Sequence, residues 1–266
     1  MSEPEIPVPE VRPVPPAGAV PPEGGTASGG SGPSGSGGVP RESGVSPRAS
    51  RVAVARSPIA PAPPVVVTAG WEVSGRRASA AGAGAGAGAL TLTDCTPLTK
   101  VQLRAPLGGE VAASLGVPFG RAARDPDGTL VVGSGPGEWL LLAPPGQAGV
   151  LEPRLEKAAA QALGESVTWV DLTHGRALIR LYGSPVAGVL AKVCGIDLSD
   201  DITPDGAAFR TSVAALATDV IRDDLGGTRS YLLHCERSSG QYLFGALLDA
   251  GAEFGIEIDG FEPPGI

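Results

Sequence analysis

Asp171, Thr173 and His174 lie within four residues of one another, and their side chains could act together in acid–base chemistry. A histidine exchanges a proton near neutral pH, and a nearby carboxylate can orient its ring. Cys194 could join them as a nucleophile. A structural interpretation competes, because Asp and Thr side chains also stabilise turns, and Cys194 ends an apolar helical stretch. We favour the structural interpretation, so the sequence predicts no catalytic residue.

The same stretch leads into a strand, Arg176–Tyr182, whose alternating pattern places Arg176 and Arg180 on one face. A buried guanidinium without a partner is costly. The two arginines therefore need solvent, a carboxylate or an anionic ligand. Further along, Asp223-Asp224 could pair with Arg222, Arg229 or a ligand amine, and a solvated turn is the favoured interpretation.

Two other features invite a functional interpretation. Gly133-Ser134-Gly135-Pro136-Gly137 looks like a phosphate-binding loop, but a strand follows it, and phosphate loops need a helix N-terminus there. We therefore predict a hairpin turn, and no flavin or nicotinamide bound by this chain alone. Trp139, in the return strand, is expected to be a core aromatic beside the surface carboxylate of Glu138.

The chain has two histidines and three cysteines. His234 lies in a predicted strand and is expected to be a half-exposed sheet residue. With so few histidines and no paired cysteine spacing, we predict no zinc site. The odd cysteine count fits reduced thiols, so we expect a cytoplasmic protein.

Composition divides the chain into a tail and a globule. More than half of the 27 prolines precede Val65, and residues 24–38 are nearly all Gly and Ser. Such a segment cannot offset the entropy of ordering its backbone, so residues 1–56 are predicted to be a disordered tail and residues 57–266 one domain. A Gly/Ala-rich tract, residues 79–89, is predicted to be a flexible loop within that domain.

The sequence offers no sign of membrane or nucleic-acid binding. Residues 2–10 are acidic and rich in proline, and no run of eighteen apolar residues is present, so we predict no signal peptide and no membrane span. The net charge is −8, without a basic block in the predicted globule. We therefore expect no nucleic-acid partner.

The order of predicted elements indicates an α+β fold. Two short strands interrupted at Pro97, a helix, a hairpin and a second helix occur in residues 90–163, and a similar order returns in residues 176–250. Within the second set, residues 213–222 are predicted to be one strand that follows the helix at 185–194. This pattern predicts two split-βαβ-like repeats, with antiparallel sheets that helices cover on one side.

Several blocks of residues resemble a known family. They are Arg56-Ser57-Pro58-Ile59, Thr96-Pro97-Leu98, Gly135-Pro136-Gly137-Glu138-Trp139-Leu140, Asp171-Leu172-Thr173-His174-Gly175-Arg176, Leu181-Tyr182-Gly183, Ala191–Leu198 and Tyr231–Leu248. In this order they resemble the gamma subunit of heterotetrameric sarcosine oxidase, over roughly residues 56–260. That family is similar in fold to the folate-binding aminomethyltransferase of the glycine cleavage system.

The resemblance implies a role in an assembly. The assembled enzyme oxidises sarcosine to glycine, passes the one-carbon unit to tetrahydrofolate and releases hydrogen peroxide. FAD, FMN, NAD and tetrahydrofolate are implied in the partner alpha, beta and delta subunits. The gamma subunit is expected to be an accessory, non-catalytic component of a heterotetramer.

The resemblance also suggests site residues and an alternative. Candidates for a folate-like site or a subunit interface are Asp171, Thr173, His174, Arg176, Trp139 and Arg222. The aminomethyltransferases carry a Gly-Tyr-Thr-Gly-Glu-type turn where this chain reads Arg222–Thr228, so the glutamate that would bind a pterin is missing. The alternative is a stand-alone folate-binding, aminomethyltransferase-like protein with Asp171 as an acceptor. A third interpretation is a scaffold whose Pro/Gly tail recruits partners.

Overall fold

The computed structural model describes residues 53–75 and 89–265. Most of the predicted tail (residues 1–52) and of the predicted Gly/Ala loop (residues 79–88) lies outside these residues. Ala55 and Arg56, at the end of the predicted tail, form a short strand. The described fold therefore begins ahead of the boundary predicted at residue 57.

Strands dominate the described part of the chain. They are β1 (Ala55–Arg56), β2 (Val65–Thr68), β3 (Trp71–Ser74), β4 (Thr91–Asp94), β5 (Thr99–Arg104), β6 (Ala122–Arg124), β7 (Leu130–Gly135), β8 (Glu138–Ala143), β9 (Thr168–Asp171), β10 (Arg176–Tyr182), β11 (Ala208–Val213), β12 (Leu216–Arg222), β13 (Ser230–Glu236) and β14 (Glu257–Asp259). The helices are α1 (Glu110–Leu115), α2 (Ala148–Gln161), α3 (Val186–Ala191) and α4 (Gly240–Gly251), with 3₁₀ turns at Arg237–Ser239 and Ala252–Phe254. The predicted α+β class is confirmed.

The strands form three sheets. A five-stranded sheet has the order β6-β7-β8-β5-β9, a six-stranded sheet has the order β11-β12-β13-β10-β4-β14, and β1, β3 and β2 form a small third sheet. The five-stranded sheet is antiparallel throughout, and the six-stranded sheet is antiparallel except where β14 runs parallel to β4.

Both large sheets have the same internal connectivity. In each sheet, one strand is followed by a helix and then by a meander of three consecutive strands. The last strand of the meander pairs with the strand before the helix, so β8 pairs with β5 and β13 pairs with β10. Each sheet also takes a strand from the neighbouring segment: β4 leads into β5 but pairs with β10, and β9 leads into β10 but pairs with β5. Because of this exchange, the two sheets are interlocked.

Three cores separate four layers. The inner core lies between the two large sheets and contains, among others, Leu140, Leu142, Leu178 and Leu232. One outer core joins the five-stranded sheet to α1 and α2, and the other joins the six-stranded sheet to α3 and α4. The order of layers is therefore helices, sheet, sheet, helices, which agrees with the prediction that helices cover one side of each sheet.

Period-two alternation along β10 explains how one strand serves two cores. Ala177, Ile179 and Leu181 face α3 and α4 in an outer core, whereas Leu178 faces the inner core. Arg176 and Arg180 therefore point to the same side as Leu178, toward the five-stranded sheet. This direction brings both arginines into the interface between the sheets.

The prediction of one strand over residues 213–222 was wrong. The chain forms a hairpin there, with β11 and β12 joined by Ala214 and Ala215 at φ 47° and 65°. Both values lie in the left-handed region that a two-residue type I′ turn needs. Alanine is unusual at such positions, so the sequence carried no turn signal.

Candidate functional site

A cleft of about 280 Å³ opens at one end of the interface between the two large sheets. The five-stranded sheet lines it with Gln102, Arg104, Ser134, Glu138 and Leu140, and the six-stranded sheet lines it with Arg176, Arg210, Ala217, Asp219, His234 and Glu236. Next to the cleft, the inner core fills this interface with apolar side chains such as Leu140, Leu178 and Leu232. The cleft is thus a polar region beside an apolar contact.

Strand pairing explains why the polar side chains meet. Asp219 lies opposite both Arg210 and His234, so a row of three side chains crosses β11, β12 and β13 on one face. In the next row, Arg176 of β10 lies opposite Glu236 of β13. Directly opposed residues in antiparallel strands are close enough for their side chains to interact.

The charges in the cleft are paired. Arg104 pairs with Glu138, and Arg176 pairs with Glu236. Arg210 Nε donates to Asp219 Oδ1 over 2.6 Å. The lining therefore carries three guanidinium groups and three carboxylates, and its net charge is zero when His234 is neutral.

His234 is the most deeply buried ionisable residue of the cleft lining, at 4% exposure. Its Nδ1 lies 3.0 Å from Asp219 Oδ2, and its Nε2 is buried without a hydrogen-bond partner among the described residues. Burial lowers the pKa of His234 below its ordinary value, against the opposite pull of Asp219. Burial alone would raise the pKa of Asp219, but the hydrogen bonds from His234 and Arg210 hold that pKa below its ordinary value.

The contact between His234 Nδ1 and Asp219 Oδ2 determines the tautomer of the neutral ring. An ionised carboxylate only accepts hydrogen bonds, so the neutral His234 ring carries its proton on Nδ1. Nε2 then presents a lone pair. The pair Asp219–His234 is chemically an oriented base, or a fixed hydrogen-bond acceptor, at the edge of a polar cleft.

A second buried cluster lies at the end of β12. Arg180 Nη2 donates to Asp223 Oδ2 over 2.9 Å, and Arg124 Nη2 donates to both oxygens of Asp223, at 2.9 and 3.0 Å. Arg180 Nη1 also donates to Ser230 Oγ over 2.7 Å. Asp223 is 9% exposed, so the interpretation of this position as a solvated turn was wrong.

Known proteins resemble this chain in sequence and in structure. The model of the "Sarcosine oxidase, gamma subunit family" matches residues 111–253. The sarcosine oxidase subunit gamma of Corynebacterium sp. (strain U-96) is 31% identical over 191 residues, which are 69% of this chain and 84% of that protein. The chain belongs to the sarcosine oxidase gamma subunit family.

Two solved structures resemble this gamma-subunit family member. A chain of the heterotetrameric sarcosine oxidase from Corynebacterium sp. U-96, in complex with pyrrole 2-carboxylate, superposes with a TM-score of 0.53 at 28% identity; the match covers 66% of this chain and 93% of that chain. The glycine cleavage system aminomethyltransferase T from Bartonella henselae superposes with a TM-score of 0.53 at 16% identity, and the match covers 74% of this chain and 55% of that one. The second match shows a shared fold alone.

Within this gamma-subunit fold, the loop that carries Asp171, Thr173 and His174 has structural contacts. Thr173 N–H donates to Asp171 Oδ1 over 2.7 Å, and Lys100 N–H donates to Thr173 Oγ1 over 3.0 Å. The His174 ring stacks on Trp71, with ring centroids 4.7 Å apart. Asp171 and Thr173 thus form the capped turn that the structural interpretation predicts.

The other candidates are distributed over the fold. Cys194 is buried in the outer core beside α3 and pairs its backbone with Val213, so it does not meet His174. Trp139 is buried and donates from Nε1 to the carbonyl of Val117 over 2.8 Å, which agrees with its prediction as a core aromatic. Of the candidates, Arg176 alone lines the cleft.

Arg222 is buried in an ion-pair network. It makes a bidentate contact with Asp224, with Nε–Oδ1 and Nη2–Oδ2 distances of 3.1 and 2.8 Å. Its Nη1 donates to Asp200 Oδ1 and to the carbonyl of Thr203, at 2.5 and 2.6 Å. The hydrogen bonds to Asp224 raise the pKa of Arg222 above its ordinary value. Its donors are thus directed at protein acceptors.

Sequence reasoning missed Asp219, and it placed His234 wrongly as half-exposed. A signal for both was present, because Gly226-Gly227 is a strong two-residue turn sequence and both residues adopt positive φ (57° and 78°). A hairpin centred on this dipeptide puts Asp219 opposite His234. The turn predicted at Asp223-Asp224 was given no central dipeptide, so this register was not predicted.

Lys100 was also missed. Its side chain is fully buried, and Nζ donates to the carbonyls of Thr96 and Leu98, each over 2.7 Å. Burial lowers the pKa of Lys100 to about 7, although Asp94 pulls it upward. The amine satisfies two carbonyls of the turn between β4 and β5, where the chain crosses from one sheet to the other.

Among residues 53–75 and 89–265, every helix is too short or too polar to span a bilayer.

Proposed function

We propose that this protein is the accessory gamma subunit of a heterotetrameric sarcosine oxidase and contributes to the oxidation of sarcosine by shaping the assembly. The observation that carries the proposal is the match to 93% of the length of one chain from such a heterotetramer, at 28% identity. In this proposal the partners are the alpha, beta and delta subunits. The assembly works in the cytoplasm and yields glycine, hydrogen peroxide and a one-carbon unit accepted by tetrahydrofolate.

The contacts of the candidate residues support a non-catalytic role. Trp139, Thr173 and Arg222 direct their polar groups at protein partners, which leaves them fewer groups for a substrate. In this proposal FAD, FMN, NAD and the tetrahydrofolate site belong to the partner subunits. Asp171 is likewise engaged, since its carboxylate accepts the Thr173 N–H.

The finer architecture is part of the same proposal. The shared connectivity of the two large sheets supports their interpretation as two split-βαβ-like repeats that have exchanged β4 and β9. The gamma-subunit domain then comprises residues 57–266 and the short strand Ala55–Arg56 that precedes them.

Co-purification tests the function. The full chain, tagged and expressed with the other three subunits, is expected to elute as one complex that oxidises sarcosine and produces hydrogen peroxide. Omitting the chain from co-expression should reduce the yield of assembled complex. If the three other subunits assemble and oxidise sarcosine at the same level without it, the proposal is wrong.

A further inference from the structure

The intersheet cleft contains an acceptor that the fold itself does not use. His234 Nε2 is buried, lines the cleft and has no hydrogen-bond partner among the described residues. A buried polar atom without a partner costs free energy, so native structures usually supply one. The tautomer fixed by Asp219 leaves Nε2 as an acceptor, and the missing partner must be an N–H or O–H donor.

Size limits what can supply this donor. The cleft holds about 280 Å³, which is just below the range of roughly 300–1,000 Å³ common for drug-sized ligands. A small organic molecule fits this volume, whereas a dinucleotide cofactor does not.

Charge limits the ligand further. Three guanidinium groups and three carboxylates balance in the lining, so a net anion or a net cation would find as much repulsion as attraction. The Arg104 and Arg210 side chains are 66% and 54% exposed, so they can turn toward a carboxylate at the mouth of the cleft. A molecule with an N–H at one end and a carboxylate at the other matches both features.

We propose that the cleft binds a small zwitterionic amino acid, which donates an N–H to His234 Nε2 and places its carboxylate near Arg104 and Arg210. This goes beyond the proposed function, since an accessory subunit needs no ligand of its own. Binding and assembly are also measured separately, so either proposal can fail alone.

Two matched ligands test the proposal on the unmodified chain. Sarcosine carries N–H donors and a carboxylate, and glycine betaine has the same carboxylate but no N–H. The full chain is labelled with ¹⁵N in its histidine rings and studied at about pH 8, where an ordinary histidine is neutral. Sarcosine at millimolar concentrations should shift the His234 Nε2 resonance saturably, and glycine betaine should bind at least about tenfold more weakly.

The second histidine supplies an internal control. His174 stacks on Trp71 outside the cleft lining, so its ring resonances should not move. Replacing Arg104 by Gln should weaken sarcosine binding and leave the spectrum of the free protein nearly unchanged, because Arg104 is exposed. An Asp219→Asn variant should lose the Nε2 response, because Arg210 Nε keeps the side-chain oxygen, the amide NH₂ then donates to His234 Nδ1, and the ring proton moves to Nε2.

Three results would overturn the proposal. One is an Nε2 resonance that does not change with sarcosine, which would mean that water alone occupies the cleft. Another is an equal response to sarcosine and glycine betaine, which would point to a general effect of the solute. The third is a shift of His174 as large as that of His234.

Discussion

An Asp223→Ala substitution tests how much the buried charges contribute to the stability of this fold. The Asp223 carboxylate accepts hydrogen bonds from Arg180 and Arg124, and the Arg180 and Asp223 side chains are 7% and 10% exposed. An Asp223→Ala substitution leaves Arg180 with Ser230 Oγ and the carbonyl of residue 223 as acceptors. Arg180 Nε has no partner even in the unmodified chain, so the guanidinium would be poorly satisfied.

The expected loss is large for one residue. Removing one partner of a buried pair costs about 3–5 kcal/mol, because the remaining charge cannot leave the protein interior. For a domain of this size, each kcal/mol lowers the melting temperature by roughly 2–4 °C. Asp223→Ala should therefore lower the melting temperature by about 6–20 °C.

Urea unfolding followed by circular dichroism measures this loss. Asp127→Ala is the matched control, because Asp127 pairs with Arg154 at the surface with side chains 69% and 43% exposed. An exposed pair contributes about 0–1 kcal/mol, so the control should unfold nearly as the unmodified chain does.

The double variant Asp223→Ala/Arg180→Met tests whether the loss of stability comes from the unpaired charge of Arg180. It removes the stranded charge, so it should be more stable than Asp223→Ala alone. The reasoning fails if Asp223→Ala costs less than about 1 kcal/mol, or if the double variant is the less stable of the two.

Three further predictions concern backbone strain and pH. Gly137 has φ 72°, and a Cβ there would lie 2.7 Å from the carbonyl oxygen of Ala105. Gly137→Ala should therefore lower the free energy of unfolding by about 2 kcal/mol or more. Gly108→Ala, in open space at φ 83°, should lower it clearly less, and urea midpoints measure both changes. The pKa of His234 is lowered on folding, so the unfolded state binds more protons than the folded state below pH 6.5. The free energy of unfolding should therefore fall as the pH drops through 6.5. In urea titrations, His234→Gln should make this pH dependence weaker. The pKa of Lys100 falls from 10.5 to about 7 on folding, so its contribution to stability should rise between these values, and Lys100→Met should remove that rise in melting temperatures.

The sequence revealed the elements whose signals are local. Strand β10 has the predicted bounds, because alternating side chains and flanking turns mark it, and His234 lies in a strand as predicted. The hairpin around Gly135-Pro136-Gly137 was also predicted, and Gly137 explains it, since a larger residue would collide with Ala105.

The features that could not be predicted from the sequence depend on pairing between distant segments. Nothing local indicates that β4 pairs with β10 or that β9 pairs with β5, because each strand is followed directly by a partner of the opposite sheet. The buried state of Asp223 was hidden for the same reason, since Arg124 lies 99 residues away. The pair Asp219–His234 differs from these cases, because the local turn Gly226-Gly227 sets the register of β12 and β13, and the pair was missed because that turn was not used as the centre of the hairpin.

The polar end of the intersheet contact carries a free-energy cost that packing does not explain. Leu140, Leu178 and Leu232 show that this interface can be filled with apolar side chains. Each charge pair in the cleft has one exposed member, so it contributes only about 0–1 kcal/mol to stability. A buried ring nitrogen without a donor adds a further cost. Stability alone gives no reason to place His234 where Leu232 and Leu178 show that an aliphatic residue fits, whereas recognition of a hydrogen-bond donor does.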